Sequence, residues 1–479
     1  MVKKSNTVLK RKNGFDKTLW QNAAFFLIIT FAFSVVYYLA FKKHLDLNGD
    51  NASYFLLGKS LSLGEGYSLY NNPDAKPHNH FPPGYPFILA TLMLISKEVL
   101  WLKIANGVFF LGASILSFQL FRKFEVKWQV ALVSIIFMLT NYHLLKSATI
   151  IMSEIPYLLL VTVTLWLLLK IDFSKDFWND VNFYYCLLAL SFAFHIRTIG
   201  VSLFAGIIFY LLIEKKWKGV TAVSSGFVVL ALPWIIRGKV LGLGTSYQKQ
   251  LLAKNPYQLE LGVAGPIDII ERFGENIIRY ISKEIPISIF SFREVNYRIP
   301  SEFPDYAIGI LLITLIILGI YLLPRYRSLI LGYLSGSFFI LLLWPKVWTG
   351  ARFILPLIPI LILLIVFSCN WILEKTLSFT KFRSNYLSFL LLPLIIFSLQ
   401  KHNPNKDAKF QSYSLNRLFL EAKIDYPIKW RNYFELGIYA KNHLPNDAYI
   451  ACRKPQLLHI KSNRHTTNYP YLEDDKELI

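Results

Sequence analysis

Scarce charges at the ends of long apolar runs carry most of the chemical information in this chain. Asp50 lies in Gly49-Asp50-Asn51-Ala52-Ser53-Tyr54, and Glu154 opens an apolar run in Ser153-Glu154-Ile155-Pro156. Arg197 closes a run in Phe194-His195-Ile196-Arg197, Arg237 closes another in Pro233-Trp234-Ile235-Ile236-Arg237, and Arg352 opens a third in Gly350-Ala351-Arg352-Phe353. A carboxylate at a water–apolar boundary can take a proton from a hydroxyl. Arginine offers a planar fork of donors that matches phosphate or carboxylate oxygens. Such a set could remove a proton at one point and hold an anion at another. Each residue also has an ordinary explanation, because Arg and Glu at helix ends reach toward polar surroundings. Asp50 precedes a stretch in which Tyr54, Leu57 and Leu61 share a helical face, so helix capping and chemistry both stay open for it. Asp46, four residues earlier, is the reserve carboxylate.

The segment His78-Asn79-His80-Phe81-Pro82-Pro83-Gly84-Tyr85-Pro86 adds two histidines that could join a carboxylate around a divalent cation, or serve as loop hydrogen-bonders. Gly64-Glu65-Gly66 is expected to stop the short helix after Asp50. Asn51-Ala52-Ser53 matches a glycosylation sequon and is read as chance, since it adjoins the candidate site. Cys186, Cys369 and Cys452 are widely spaced and form neither a disulfide framework nor a CxxC pair.

The elements that must position these groups follow from composition. The chain has 479 residues, 54% hydrophobic, 16% aromatic and only 17% charged, with a mean hydropathy of +0.41. A soluble chain carries roughly 25% charged residues. The apolar residues are clumped into runs near the roughly 20 residues that a bilayer crossing requires. That pattern excludes an ordinary globular enzyme, a disordered chain and a peripheral membrane protein. Candidate spans, about eleven by this length criterion, cover 20–41, 100–121, 127–145, 150–171, 183–196, 199–213, 219–236, 306–323, 328–345, 353–372 and 386–399. The expected fold is an all-α polytopic membrane protein.

The net charge of +21 reads as topogenic rather than as a nucleic-acid footprint, because cytoplasmic loops collect Lys and Arg. Lys3, Lys4, Lys10, Arg11, Lys12 and Lys17 put the N-terminus in the cytoplasm, before a first span read as retained rather than cleaved. Alternation then places Arg122, Lys123, Lys127, Lys215, Lys216, Lys218, Arg325, Arg327, Lys375, Lys381 and Arg383 on the same side. Asp50, Glu154, Arg197, Arg237 and Arg352 all fall on the other. The division expected is a basic cytoplasmic segment 1–19, a membrane domain 20–399 with outer loops 42–97 and 238–305, and an extracytoplasmic α/β segment 400–479. No internal repeat stands out, which gives no support to a transporter of two similar halves.

In its order of motifs the chain resembles the C-type (GT-C) glycosyltransferase superfamily, in the branch of protein O-mannosyltransferases and the lipid A aminoarabinose transferase. The resemblance rests on Gly49–Tyr54, Gly64-Glu65-Gly66-Tyr67, Phe81–Pro86, Met152–Pro156, Arg197-Thr198-Ile199-Gly200, Pro233–Arg237, Arg352–Pro356 and the tail pieces Ile438–Asp447 and Arg453–Arg464. It covers nearly the whole chain, and the shared order is more specific than any one motif. It implies transfer of a sugar from a polyprenyl-phosphate carrier to a hydroxyl of a lipid, glycan or protein on the extracytoplasmic face of a plasma membrane, the inner membrane of a bacterium. It further implies that Asp50 is the catalytic acid residue of the first outer loop, with Glu154 as the second. Asn51 departs from the commonest pattern, where a second acid follows the first, and this leaves a divalent cation open.

The remaining assignments are Arg237 first, then Arg352 and Arg197, for the carrier phosphate. His80 and Tyr85 are assigned to substrate, and Tyr247 and Tyr257 to sugar stacking. The alternatives are a transporter or flippase of polyprenyl-linked lipids, and a scaffold or polysaccharide ligase. A flippase would be expected to carry its charges near the bilayer midplane rather than at helix ends.

Overall fold

The computed structural model describes residues 17–47, 49–74, 76–242, 246–290, 295–377, 384–395 and 414–469. The basic residues before Lys17, together with Lys381 and Arg383, lie outside the described residues. The helices run in chain order as α1 (Lys17–Ala40), α2 (Gly49–Ser62), α3 (Gly84–Met93), α4 (Val99–Lys123), α5 (Trp128–Leu139), α6 (Tyr142–Ala148), α7 (Glu154–Leu168), α8 (Val181–Ile196), α9 (Gly200–Ile213) and α10 (Trp217–Val240). They continue as α11 (Ser246–Leu252), α12 (Pro266–Arg279), α13 (Ile285–Ile289), α14 (Phe303–Leu322), α15 (Arg327–Leu343) and α16 (Ile358–Thr376). Among the described residues, four helices are long and apolar enough to cross a membrane, and a fifth crossing is available if α5 and α6, bent by 61°, count as one. The single run expected over 127–145 is therefore broken. Asn141 caps α6, its side chain accepting from the amides of His143 and Leu144 at 3.1 Å each, which lets the chain turn without orphaning those donors. Shorter apolar helices include α3, α7, α8, α9 and α15. The run expected over 386–399 is described only to 395, as a 3-10 helix Ser384–Leu391 followed by a turn, and its remainder lies outside the described residues.

The core forms where α7 packs between α4 and α8, α9 runs along α15, and α14 along α16. One face of this bundle gathers the basic turns. Lys127 pairs with Glu374 at 2.7 Å, and Arg325 with Glu125 at 3.2 Å, so the ends of α4, α5, α14 and α16 share a side.

The opposite face carries the polar segments. The loop before α3 folds over the end of α8. A Cβ on Gly84 would come within 2.7 Å of the His195 carbonyl carbon, so the close approach requires glycine there. Beyond the membrane bundle, helices Leu415–Lys423 and Ile428–His443 precede two short parallel strands, Tyr449–Ala451 and His465–Thr467, joined through helix Pro455–Ser462. This tail is tied to the first polar loop. Asn71 exchanges backbone and side-chain hydrogen bonds with Thr466 at 2.8 and 2.9 Å, and the Tyr426 hydroxyl donates to the Leu45 carbonyl at 2.7 Å.

Candidate active site

Four of the ionisable residues singled out above converge at one lip of the bundle. Glu154 begins α7, where the exposed amides of a helix start favour negative charge. Its Oε1 accepts from Arg197 Nη1 at 2.6 Å and from Arg352 Nε at 2.5 Å. Arg352 reaches on through Nη1 to Asp50 Oδ2 at 2.7 Å. The result is a chain of alternating charge, Arg197–Glu154–Arg352–Asp50, assembled from four separate elements. Ser153 supports it, its hydroxyl accepting from Arg197 at 3.0 Å and lying 3.1 Å from the Tyr54 hydroxyl. Glu154 Oε2 is buried and has no hydrogen-bond partner among the described residues.

Exposure separates the two carboxylates. The side chain of Glu154 is 1% exposed, whereas that of Asp50 is 36% exposed. A buried charge persists only when paired, so Glu154 needs its two arginines. Asp50 is open to an incoming group. It sits within the first turn of α2 rather than at the cap position, because the helix already begins at Gly49. Beside any local role at the helix start, Asp50 makes an ion pair with Arg352 across 302 residues of chain.

A second group of side chains continues from Asp50. His80 stacks on Tyr247, with ring centroids 5.4 Å apart, and lies 6.3 Å from His78. Arg237 donates to the His78 carbonyl at 2.9 Å and lies over the rings of Tyr67 and Trp234. It therefore stands apart from the Glu154 cluster, at the far end of the histidine pair. Tyr85 is fully buried, packs edge-on to Tyr54 at 5.0 Å, and its hydroxyl donates to Asn106 at 3.3 Å, so it ties the start of α3 to α4 behind Tyr54. Tyr257 is exposed and accepts from Trp348 Nε1 at 2.7 Å, away from the charges.

The donor set does not fit a hard divalent cation, which needs several oxygen ligands around one point. The Arg352 guanidinium occupies the space between the two carboxylates. His78 Nε2 is engaged as an acceptor for the Phe81 amide at 3.0 Å. Among the described residues no group of three or more His, Cys, Asp or Glu comes together for a metal.

Burial, reinforced by His80 and Arg237, pushes the His78 imidazole down from 6.5 to about 3. The ring is therefore neutral at physiological pH and adds no positive charge for an anion. The unfolded chain takes up this proton near pH 6.5 and the folded chain not until about pH 3. The corresponding stability is complete above pH 6.5 and falls as pH drops, by about 1.4 kcal/mol per unit. Thermal unfolding of wild type and His78→Gln between pH 7 and 4 tests this. The expected result is a steeper acid loss in wild type, and parallel profiles would contradict it.

Ser153 and Tyr54 join the site by the Ser153 hydroxyl, roles that their places beside Glu154 and one helical turn after Asp50 did not assign in the sequence. Nor did the sequence single out Glu284, which the structure buries beside the turn bearing Arg352. In the sequence it stands in Ile281-Ser282-Lys283-Glu284-Ile285-Pro286-Ile287, where an adjacent lysine gives it an ordinary local look.

The fold is an assembly of apolar helices, four of them long and apolar enough to cross a membrane among the described residues, and it is shared with solved structures of ArnT and of an archaeal oligosaccharyltransferase. No protein-family model and no curated protein matches the sequence. The likeness lies with solved structures. ArnT from Cupriavidus metallidurans bound to undecaprenyl phosphate superposes with a TM-score of 0.59 at 11% identity, over 93% of this chain and 86% of that one. The oligosaccharyltransferase AglB from Archaeoglobus fulgidus, in complex with an inhibitory peptide and a dolichol-phosphate, matches with a TM-score of 0.58 at 10% identity. That match covers 94% of this chain and 65% of the archaeal one, so the present chain spans just under two thirds of AglB.

Proposed function

We propose that the protein is a glycosyltransferase that moves a sugar from a polyprenyl-phosphate donor to an acceptor hydroxyl. The observation that carries this reading is the Asp50–Arg352–Glu154–Arg197 chain at one lip of a GT-C fold. Two neighbours with that fold, ArnT and AglB, are solved with a polyprenyl phosphate or dolichol-phosphate bound. The reading counts the shorter apolar helices as further crossings, about eleven in all by the apolar runs. It puts the site and the tail on the extracytoplasmic face of a bacterial inner membrane.

The chemistry follows from the charges. The acceptor oxygen forms a bond to the anomeric carbon as the bond from that carbon to the phosphate oxygen breaks. The acceptor proton passes to Asp50, and the carrier leaves as polyprenyl phosphate. A single displacement from the opposite face inverts the anomeric centre. Phosphate is a stable leaving group, so the protein need supply only the base and positive charge for the departing anion. Arg352 serves both ends. An incoming phosphate competes with Asp50 for its guanidinium, and when Arg352 turns toward phosphate, Asp50 loses an ion-pair partner and becomes more basic. Glu154 keeps Arg197 and Arg352 charged and in place, with Oε2 left to accept from a sugar or acceptor hydroxyl. Arg237 would bind the carrier phosphate at the outer end of the histidine pair.

The test is release of polyprenyl phosphate from a panel of polyprenyl-phosphate pentoses and hexoses by purified protein in lipid nanodiscs. No release from any member, with the protein folded, would sink the reading. Transport of intact donor across proteoliposomes without bond cleavage would favour a flippase. Arg237→Ala should raise the donor concentration for half-maximal rate about tenfold or more, the loss of one charge-assisted contact. An unchanged donor dependence moves the phosphate role to Arg352 and Arg197.

A further inference from the structure

The turn that presents Arg352 is built on another element. Helix α12 and its continuation, a π turn over Tyr280–Glu284, run beside the segment Leu342–Gly350. Side chains from this helix grip that backbone in sequence. Asn276 donates to the carbonyls of Leu342 and Trp344 at 2.7 and 2.8 Å, and Arg279 donates to Lys346 O at 2.7 Å. Glu284 ends the row, its Oε1 accepting from the Gly350 amide at 3.0 Å. Glu284 is itself held by the Tyr297 hydroxyl at 2.9 Å and by Arg279 at 3.5 Å. Gly350 adopts a φ of +114°, the left-handed region, two residues before Arg352. On its other contact the π turn packs directly on α14, where Gly309 makes room, since a Cβ there would fall 1.8 Å from the Ile281 carbonyl oxygen.

From these contacts we infer that Glu284 is a positioning residue. By pinning the Gly350 amide it sets the reach of Arg352 to Asp50 and Glu154, and so links the outer loop 238–305 to the charge chain. A carboxylate buried merely to neutralise Arg279 would not need the Gly350 amide, and Arg279 already has carbonyl partners. The consequence for catalysis rests on the transferase reading above, whereas the consequence for the turn does not.

Two measurements on the full chain test it. In hydrogen exchange, Glu284→Ala should speed the amides of 344–353 about tenfold or more while those of α4 and α7 stay protected. Glu284→Gln, whose amide oxygen still accepts from Gly350, should stay near wild type. In turnover, Glu284→Ala should lower kcat about tenfold with little change in donor KM, again with rescue by Gln. In an Arg352→Ala background, Glu284→Ala should cost nothing more, as expected for residues acting through one another. Wild-type exchange at 344–353 in Glu284→Ala, or losses that multiply in the double variant, overturns the inference. Should Glu284→Ala fail to fold, Glu284→Leu, which fills the same space without the acceptor, takes its place. If wild type transfers no sugar, the transferase reading falls and the exchange result alone decides whether Glu284 holds the turn.

Discussion

Asp50→Asn should abolish sugar transfer while leaving the protein folded. A positioned general base contributes about 10²- to 10⁴-fold to rate, so turnover should fall about a thousandfold with donor binding retained. Asparagine keeps the size of the side chain and a carbonyl oxygen for Arg352, but it cannot accept the acceptor proton. The stability cost should be small. Asp50 and Arg352 are each about one-third exposed, and solvent-screened pairs contribute only about 0–1 kcal/mol. Release of polyprenyl phosphate, read beside the unfolding temperature of the same preparation, separates the two effects. Full turnover in the variant would remove Asp50 as the base. Retained turnover in Asp50→Asn with loss in Asp46→Asn would transfer the role to Asp46.

Glu154→Ala should behave oppositely, as a defect of folding first. Its carboxylate is almost wholly buried and is shared by two guanidinium groups. Removing it leaves the Arg197 guanidinium beside a cavity without its carboxylate partner, and leaves Arg352 with Asp50 alone. Breaking a buried pair from one side typically costs about 3–5 kcal/mol, and the expected result is a marked drop in unfolding temperature. Glu154→Gln keeps an acceptor oxygen and the volume, so its loss should be smaller. Pairing Glu154→Leu with Arg197→Met removes one stranded charge and should recover part of the lost stability, since apolar replacement of both partners is often tolerated. Wild-type thermal stability in Glu154→Ala would show that the arginines hold each other's positions by other contacts. The contrast between the two carboxylates is thus decided by exposure, not by residue type.

Much of the architecture was legible in the chain because a bilayer imposes a one-dimensional rule. A backbone in hydrocarbon must bond internally, so apolar runs of sufficient length become helices wherever they lie. The runs at 100–121, 219–236 and 306–323 emerge as α4, α10 and α14 with boundaries shifted by only a few residues. The rule fails where tertiary packing supplies partners for a broken backbone. The bend between α5 and α6 is satisfied by Asn141, whose side chain caps α6 and also donates to the Ser288 carbonyl at 2.7 Å, a contact no local pattern announces. Tyr85, assigned to substrate from the sequence, is fully buried with its hydroxyl on Asn106, a partner that no local pattern announces.

By itself, the sequence determined that this protein lives among apolar helices, which ends of those helices are basic, and which few acids and arginines stand at the opposite ends. Charge in an apolar setting is costly enough to be conspicuous without coordinates. Which of those charges meet was decided only by the tertiary structure. Arg352 pairs with Asp50 and Glu154, while Arg237 turns to the His78 carbonyl. Coulomb attraction between partly buried groups depends on separations of a few ångströms, and residues 50, 154, 197 and 352 are brought to that range by helix packing that no spacing along the chain encodes.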